Sequence, residues 1–277
     1  MNDQDIRNAV RESYGKVATQ QGGSCCGPES LQASPCCGGP TPDTASKAIG
    51  YTDEQLASLP DGADLGLGCG NPTAMASLKE GEVVLDLGSG AGIDCFLAAA
   101  AVGKTGRVIG VDMTPAMLER ARENASKGGY DNVEFRMGEI EHLPVADNTV
   151  DAIISNCVIN LSPDKRQVFS EAYRVLRPGG RVMLSDIVLL KELPEGIKGS
   201  VEAYVGCVAG AETKEDYLAN LTSAGFTDVK IVSEVSAAGI YDNATEQIVA
   251  DLGITAEQVR EVSSSIISIK VQAIKSK

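Results

Sequence analysis

From residue 83 to residue 186 the chain alternates between two apolar rhythms. Short runs of adjacent apolar residues mark buried strands, and the stretches between them repeat apolar positions every three or four residues, as helices do. Val83, Val84, Leu85 and Leu87 give a strand over 82–87, followed by a helix over 92–102 and a strand over 107–111. Thr114 and Pro115 form a cap and first-turn pair opening a helix that stops at Gly128-Gly129. Strands follow over 133–137 and 149–155, then a helix over about 163–176 and a strand over 180–186. Strands alternating with helices predict an α/β, Rossmann-like, mostly parallel sheet.

The flanks read differently. Ile6, Val10, Tyr14 and Val17 sit at helical spacing, so an amphipathic helix is expected over 3–18. Residues 19–46 are rich in Gly, Ser, Pro and Cys and read as a mobile loop. Thr52 with Gln55 makes a capping box for a short helix through Leu59, and 64–72 reads as a turn presenting Cys69. After Asp186 the alternation fades: 192–228 looks helical and loop-like, strand patterns return at 229–235 and 265–274, and Thr255 with Gln258 caps another short helix. The expected organisation is an N-terminal helix and Cys-rich loop (1–60), a Rossmann-like domain (61–190) and a small C-terminal α+β addition packed on the sheet (191–277) that binds substrate.

Composition narrows the function. The 277 residues are 43% hydrophobic, enough for a large core. A net charge of −14 argues against a nucleic-acid backbone as partner, and with no tryptophan and 4% aromatics a base-stacking platform is not expected. No run is long enough to span a bilayer, and the polar, acidic start does not resemble an export signal, so a cytoplasmic monomer without membrane partners is expected. Eight cysteines in such a chain point to ligands or redox-active thiols rather than structural bridges.

The chemistry begins at Asp86, where a buried strand runs into Gly88, Gly90 and Gly92 and then a helix. A glycine turn at a strand's carboxyl end lets backbone approach a nucleotide-like cofactor. Asp112, at the tip of the next strand, is placed to accept ribose hydroxyls. The glycine spacing lacks the second helix-start glycine of a dinucleotide site, although a dehydrogenase reading stays open. The run from Asp86 to Gly92 resembles motif I of class I S-adenosylmethionine methyltransferases, and Met137–Pro144 (MGEIEHLP) and LRPGG at 176–180 resemble two further landmarks of that family. The resemblance implies that Asp86, Gly88, Ser89 and Gly90 face the methionine end of the cofactor. It puts Asp112 on the ribose, Met113 on adenine, Ile140 with Glu139 or Glu141 at the adenine edge, and Asn156 beside the methionine.

Cys69, Cys157 and Cys207 lie in three separate segments with no Cys-x-x-Cys zinc spacing. Soft thiolates gathered in this way suit a thiophilic atom such as trivalent arsenic. GCGNP around Cys69, NCVINLSPDK from Asn156 and YVGCVAGA around Cys207 resemble arsenite S-adenosylmethionine methyltransferases over about residues 65–210. In that family three cysteines bind As(III), matching Cys69, Cys157 and Cys207 here. A fourth lies upstream, where this chain instead carries two adjacent pairs, Cys25-Cys26 and Cys36-Cys37. Gly66 and Leu67 stand where animal members carry two tyrosines.

The resemblance implies attack by the arsenic lone pair on the cofactor methyl, with no general base. Arsenic is then reduced as two thiols close to a disulfide, to be reopened by a reductant such as thioredoxin or a small thiol; the upstream pairs read either as a relay for that disulfide or as a spare metalloid-scavenging site or dispensable tail. His142, the only histidine, reads as a surface-turn residue, and Cys95 as a small core residue. Three other readings stay open. One is methyl transfer to carbon or oxygen of a small metabolite such as a quinone precursor, for which the three cysteines have no role. The others are metalloid binding without turnover, and a redox-regulated protein.

Overall fold

The computed structural model describes residues 2–19, 42–193, 204–236 and 262–277. Among them seven strands form one sheet in the order β3-β2-β1-β4-β5-β7-β6. The strands are β1 Val83–Leu87, β2 Arg107–Asp112, β3 Val133–Met137, β4 Val150–Asn156, β5 Leu176–Leu189, β6 Phe226–Ser236 and β7 Ile266–Lys275. The first five pair in parallel, and β7 runs antiparallel between β5 and β6. The strand order reverses between β1 and β4, which opens a crevice at their carboxyl ends.

The helices are α1 Asp3–Thr19, α2 Pro42–Ala48, α3 Asp53–Ala57, α4 Ile93–Val102, α5 Pro115–Gly128, α6 Lys165–Val175 and α7 Lys214–Ser223. Two apolar layers sandwich the sheet. Phe96 of α4, Leu118 of α5 and Phe135 pack on one face. Phe169 of α6, Tyr217 of α7 and Phe226 pack on the other. Both faces of the central strands are therefore buried, which is why those strands read as continuous apolar runs.

The expected elements between 82 and 186 are present with small shifts. The fifth strand is longer than expected because the Pro-Gly-Gly segment is absorbed in an irregular step. Val150 pairs with Leu176 and Ala152 with Arg181, so the residues between bulge out and the strand continues. At its far end β7 keeps pairing as far as Leu189↔Ile266. The C-terminal α+β region joins the sheet edge-on as its last two strands, and the alternating Ile267, Ile269, Val271 and Ala273 are buried in it. Thr52 and Gln55 form the expected capping box. Thr114 departs from expectation: its side chain caps nothing. Asp112 Oδ1 takes over by accepting the Thr114 N–H at 2.8 Å. The Thr255–Gln258 pattern and the upstream cysteine loop lie outside the described residues. Among the described residues no helix is long and apolar enough to cross a membrane.

Candidate active site: a cleft beside three cysteines

The crevice at the carboxyl ends of β1, β2 and β4 is a cleft of about 1050 Å³ including its open mouth. Its floor follows from the glycine turn. Gly90 sits at φ +51°, where a side chain is strained, and a Cβ built there would meet only open space. The turn is pinned by Asp112, whose Oδ2 accepts the Gly90 N–H at 2.9 Å while Oδ1 holds Thr114. Ser89 Oγ lines the cleft, is buried, and has no hydrogen-bond partner among the described residues.

The cleft concentrates negative charge. Asp86, Asp94 and Asp112 all line it. Burial, then the neighbouring Asp94, holds the Asp86 carboxyl well above the usual range. Burial pushes Asp94 up to about 6 and raises Asp112 as well. Three crowded carboxylates favour a cationic ligand, whose charge would offset their desolvation. Opposite them the wall is apolar: Met113, Met117, Ile140, Val158 and Leu161.

The residues expected at the cofactor are mostly here. Asp86, Gly88, Ser89, Gly90, Asp112, Met113, Ile140, Glu141 and Asn156 all line the cleft. Glu139 does not; it points to α1, within 3.4 Å of both Arg7 and Arg11. Glu141 is buried and takes hydrogen bonds from Arg7 at 3.1 Å and Ser162 Oγ at 2.8 Å. Cys95 is fully buried, donates to Asp86 at 3.2 Å, and has its thiol pKa raised by burial, in keeping with a core role. His142 is exposed on the surface.

Beyond the tip of β4 the cleft meets the cysteines. Cys69 and Cys157 are joined as a disulfide, with Cα atoms 5.8 Å apart and 88 residues between them in sequence. Cys207 Sγ donates to the Cys157 carbonyl at 3.1 Å. Apolar side chains surround all three: Cys69 packs with Ile187 and Val208, Cys207 with Val10, Leu161 and Tyr204, and Cys157 borders both groups. Cys157 and Cys207 both adopt left-handed backbone, at φ +58° and +64°. Strain of that kind costs on the order of 1–3 kcal/mol and is held where the surroundings over-determine it. Burial, then Asp186, pushes the Cys207 thiol up to about 12. Cys25, Cys26, Cys36 and Cys37 lie outside the described residues.

Three contributors were not singled out from sequence. Helix α1 lies across the cleft with Arg7, Val10 and Tyr14 in its lining, and Arg11 Nε donates to the Met113 carbonyl at 3.3 Å. Tyr51 is buried against Asp94. Asp94 itself is the second residue of α4, in its first turn directly after the glycines. The spacing of Arg7 and Arg11 beside the apolar stripe of α1 was the available signal for that helix. Nothing local marked Tyr51.

This constellation has relatives. Residues 78–225 match the family model described as a methyltransferase domain. Over 254 residues the chain is 36% identical to an arsenite methyltransferase of Aquipseudomonas alcaligenes, covering 89% of this chain and 69% of that one. The chain belongs to the arsenite methyltransferase family. Within it, an arsenite methyltransferase of Halobacterium salinarum is 54% identical over 82% of this chain and 59% of its own length. The crystal structure of an arsenic (III) S-adenosylmethionine methyltransferase from Chlamydomonas reinhardtii superposes with a TM-score of 0.63 at 36% identity, covering 84% of this chain and 74% of that one. The family member described here thus spans between about three-fifths and seven-tenths of the length of these two curated relatives.

Proposed function

We propose that the protein transfers methyl groups from S-adenosylmethionine to trivalent arsenic held by Cys69, Cys157 and Cys207, giving methylated arsenicals in a detoxification role. One observation carries the reading: three cysteines from distant segments converge, in an apolar setting, at the mouth of an acidic cleft built on a glycine turn. A carbon or oxygen acceptor gives no reason for that convergence. In the arsenic reading, residues 191–277 would contribute Cys207 to substrate binding.

The cleft fits the cofactor by its chemistry. Bound there, S-adenosylmethionine supplies an electrophilic methyl on a cationic sulfonium. Asp86 and Ser89, with the Gly88–Gly90 backbone, would hold the methionine end, Asp112 the ribose, and Met113, Ile140 and Glu141 the adenine. Arg7 keeps the buried Glu141 charge compensated and closes α1 over the site.

The cysteines bind substrate without a base. As each thiol adds to arsenite its proton leaves with an arsenic hydroxyl as water, so the raised pKa of Cys207 is no obstacle. The apolar surroundings exclude water from the pocket, and fixed thiolates align the arsenic lone pair toward the cofactor. Transfer leaves arsenic formally pentavalent. Closing Cys69 and Cys157 to a disulfide returns two electrons to it, and the disulfide pairing of these two residues supports this step. An external thiol reductant then reopens the disulfide, with the Cys25-Cys26 and Cys36-Cys37 pairs as relay. We further read the protein as a cytoplasmic monomer.

The test is methyl transfer from S-adenosylmethionine to As(III) in the presence of a thiol reductant, for wild type, Cys157→Ser and Cys207→Ser. Loss of transfer in both variants, with cofactor affinity kept, is the expected result. Transfer by the serine variants at the wild-type rate would remove arsenic from the account.

A further inference from the structure

We infer that Asn156, locked by Tyr51 and Asp94, is a positioning residue that holds Cys69 against Cys157. On this view the cofactor cleft and the thiol pocket share that one side chain. The inference rests on the arsenic reading for its ligand, although its first test does not need arsenic.

The side-chain amide clamps the chain on both sides of Cys69. Its Oδ1 accepts the Cys69 N–H at 3.0 Å, and its Nδ2 donates to the Gly70 carbonyl at 2.7 Å. Asn156 directly precedes Cys157, so the clamp links the two disulfide partners through one residue. The loop is shaped to receive it. A Cβ on Gly68 would lie 2.8 Å from Asn156 Nδ2, so only glycine lets the loop seat against the amide.

The donor and acceptor count fixes the orientation of the amide. Since Oδ1 faces an N–H, Nδ2 must face acceptors, and it has three: Gly70 O, Tyr51 Oη at 3.0 Å and Asp94 Oδ2 at 3.3 Å. The Tyr51 hydroxyl spends its one proton on Asp94, 2.9 Å from Oδ1 and 3.0 Å from Oδ2, so its oxygen is free to accept. Tyr51 and Asp94 are both buried, 4% and 3% exposed, which makes breaking the arrangement costly. Both hydrogens of Nδ2 are thereby committed, and Oδ1 is engaged by Cys69. Asp94 lines the cofactor cleft directly, so the clamp begins at the cofactor cleft and ends at the backbone on either side of Cys69.

Asn156→Ala, and Tyr51→Phe as the milder variant that keeps the amide, test this with three readouts. The first is the Cys69–Cys157 thiol–disulfide equilibrium against dithiothreitol, which reduces the bond to two thiols as it closes its own ring; alkylation and mass spectrometry measure the ratio. Asn156→Ala is expected to shift it about tenfold toward the dithiol, about 30 mV. The second is As(III) affinity of the reduced protein by equilibrium dialysis, expected to fall about tenfold in Asn156→Ala and about threefold in Tyr51→Phe. The third is S-adenosylmethionine affinity of Tyr51→Phe, a residue outside the cleft lining, expected within threefold of wild type. An unchanged thiol equilibrium with lost cofactor affinity would overturn the inference and make Asn156 a cofactor ligand. Equal loss in all three readouts, in Tyr51→Phe as well, would reduce the network to structural filling and overturn it too. A wild type that does not bind As(III) would fail the arsenic reading alone, with the shifted thiol equilibrium still supporting the clamp.

Discussion

The two halves of the site are built by opposite means. The cofactor half comes from one continuous unit: β1, a glycine turn, α4 and β2 lie within thirty residues and present largely backbone and the short Asp112 carboxylate to the cleft. The thiol half draws its three sulfurs from loops at 69, 157 and 207, and these hold together through side chains and two strained left-handed cysteines. A local unit is fixed by its own strand–helix packing. A site assembled from distant loops needs dedicated cross-links, and its parts fail separately.

That difference can be broken at each half. The largest effect is expected from Cys157→Ser and Cys207→Ser: at least a hundredfold loss of methyl transfer, with cofactor affinity within twofold by calorimetry. On the other side, Gly90→Ala places a methyl in the open cleft at a left-handed position. It should weaken S-adenosylmethionine binding tenfold or more, cost roughly 1 kcal/mol of stability, and leave As(III) binding by the reduced protein intact. Loss of As(III) binding in Gly90→Ala would show that the halves are not separable.

Smaller effects sharpen the comparison. Arg7 pairs with the buried Glu141 and bridges α1 to the adenine side. Arg7→Ala leaves that carboxylate without its cation, a loss of about 1–3 kcal/mol, and cofactor affinity should drop severalfold by calorimetry. Under the thiol half, Asp186 is fully buried, has one oxygen without a hydrogen-bond partner among the described residues, and takes a hydrogen bond from Tyr217 at 2.7 Å on the other. Burial pushes its pKa up to about 7. The folded protein therefore holds this proton to higher pH than the unfolded chain. The associated stability is full below about pH 4 and is lost as pH rises through 7. Urea melts of Asp186→Asn and wild type should show the variant gaining, relative to wild type, up to about 1.4 kcal/mol per pH unit between pH 5 and 7 and nothing further above it. A constant difference across that range would contradict the buried-charge assignment.

What the sequence revealed follows the same division. The apolar runs and the glycines encode the cofactor half locally, so strands β1 to β4 and the lining residues on the glycine turn and the strand tips were legible, whereas Asp94 and the lining from α1 were not. The three cysteines were legible as a set through the motifs around them. Their cross-links were not, because Tyr51, Asp94 and Asn156 meet only after folding: Tyr51 and Asp94 read as ordinary residues in their own segments, and Asn156 read as a neighbour of the cofactor rather than of Cys69. Glu139 and Glu141 flank Ile140 with equal claims on the adenine edge; the arginines of α1, more than a hundred residues away, draw Glu139 out of the cleft. The entry of β7 between β5 and β6 was hidden for a similar reason, since alternation along a strand does not name its neighbours.

The central claim is that three thiols form one arsenic site. Arsenic-edge X-ray absorption on the reduced protein with equimolar As(III) tests it most directly. The account predicts three sulfur neighbours in wild type, and two with one oxygen in Cys207→Ser. Mainly oxygen neighbours in wild type, or an identical spectrum from Cys207→Ser, would contradict it.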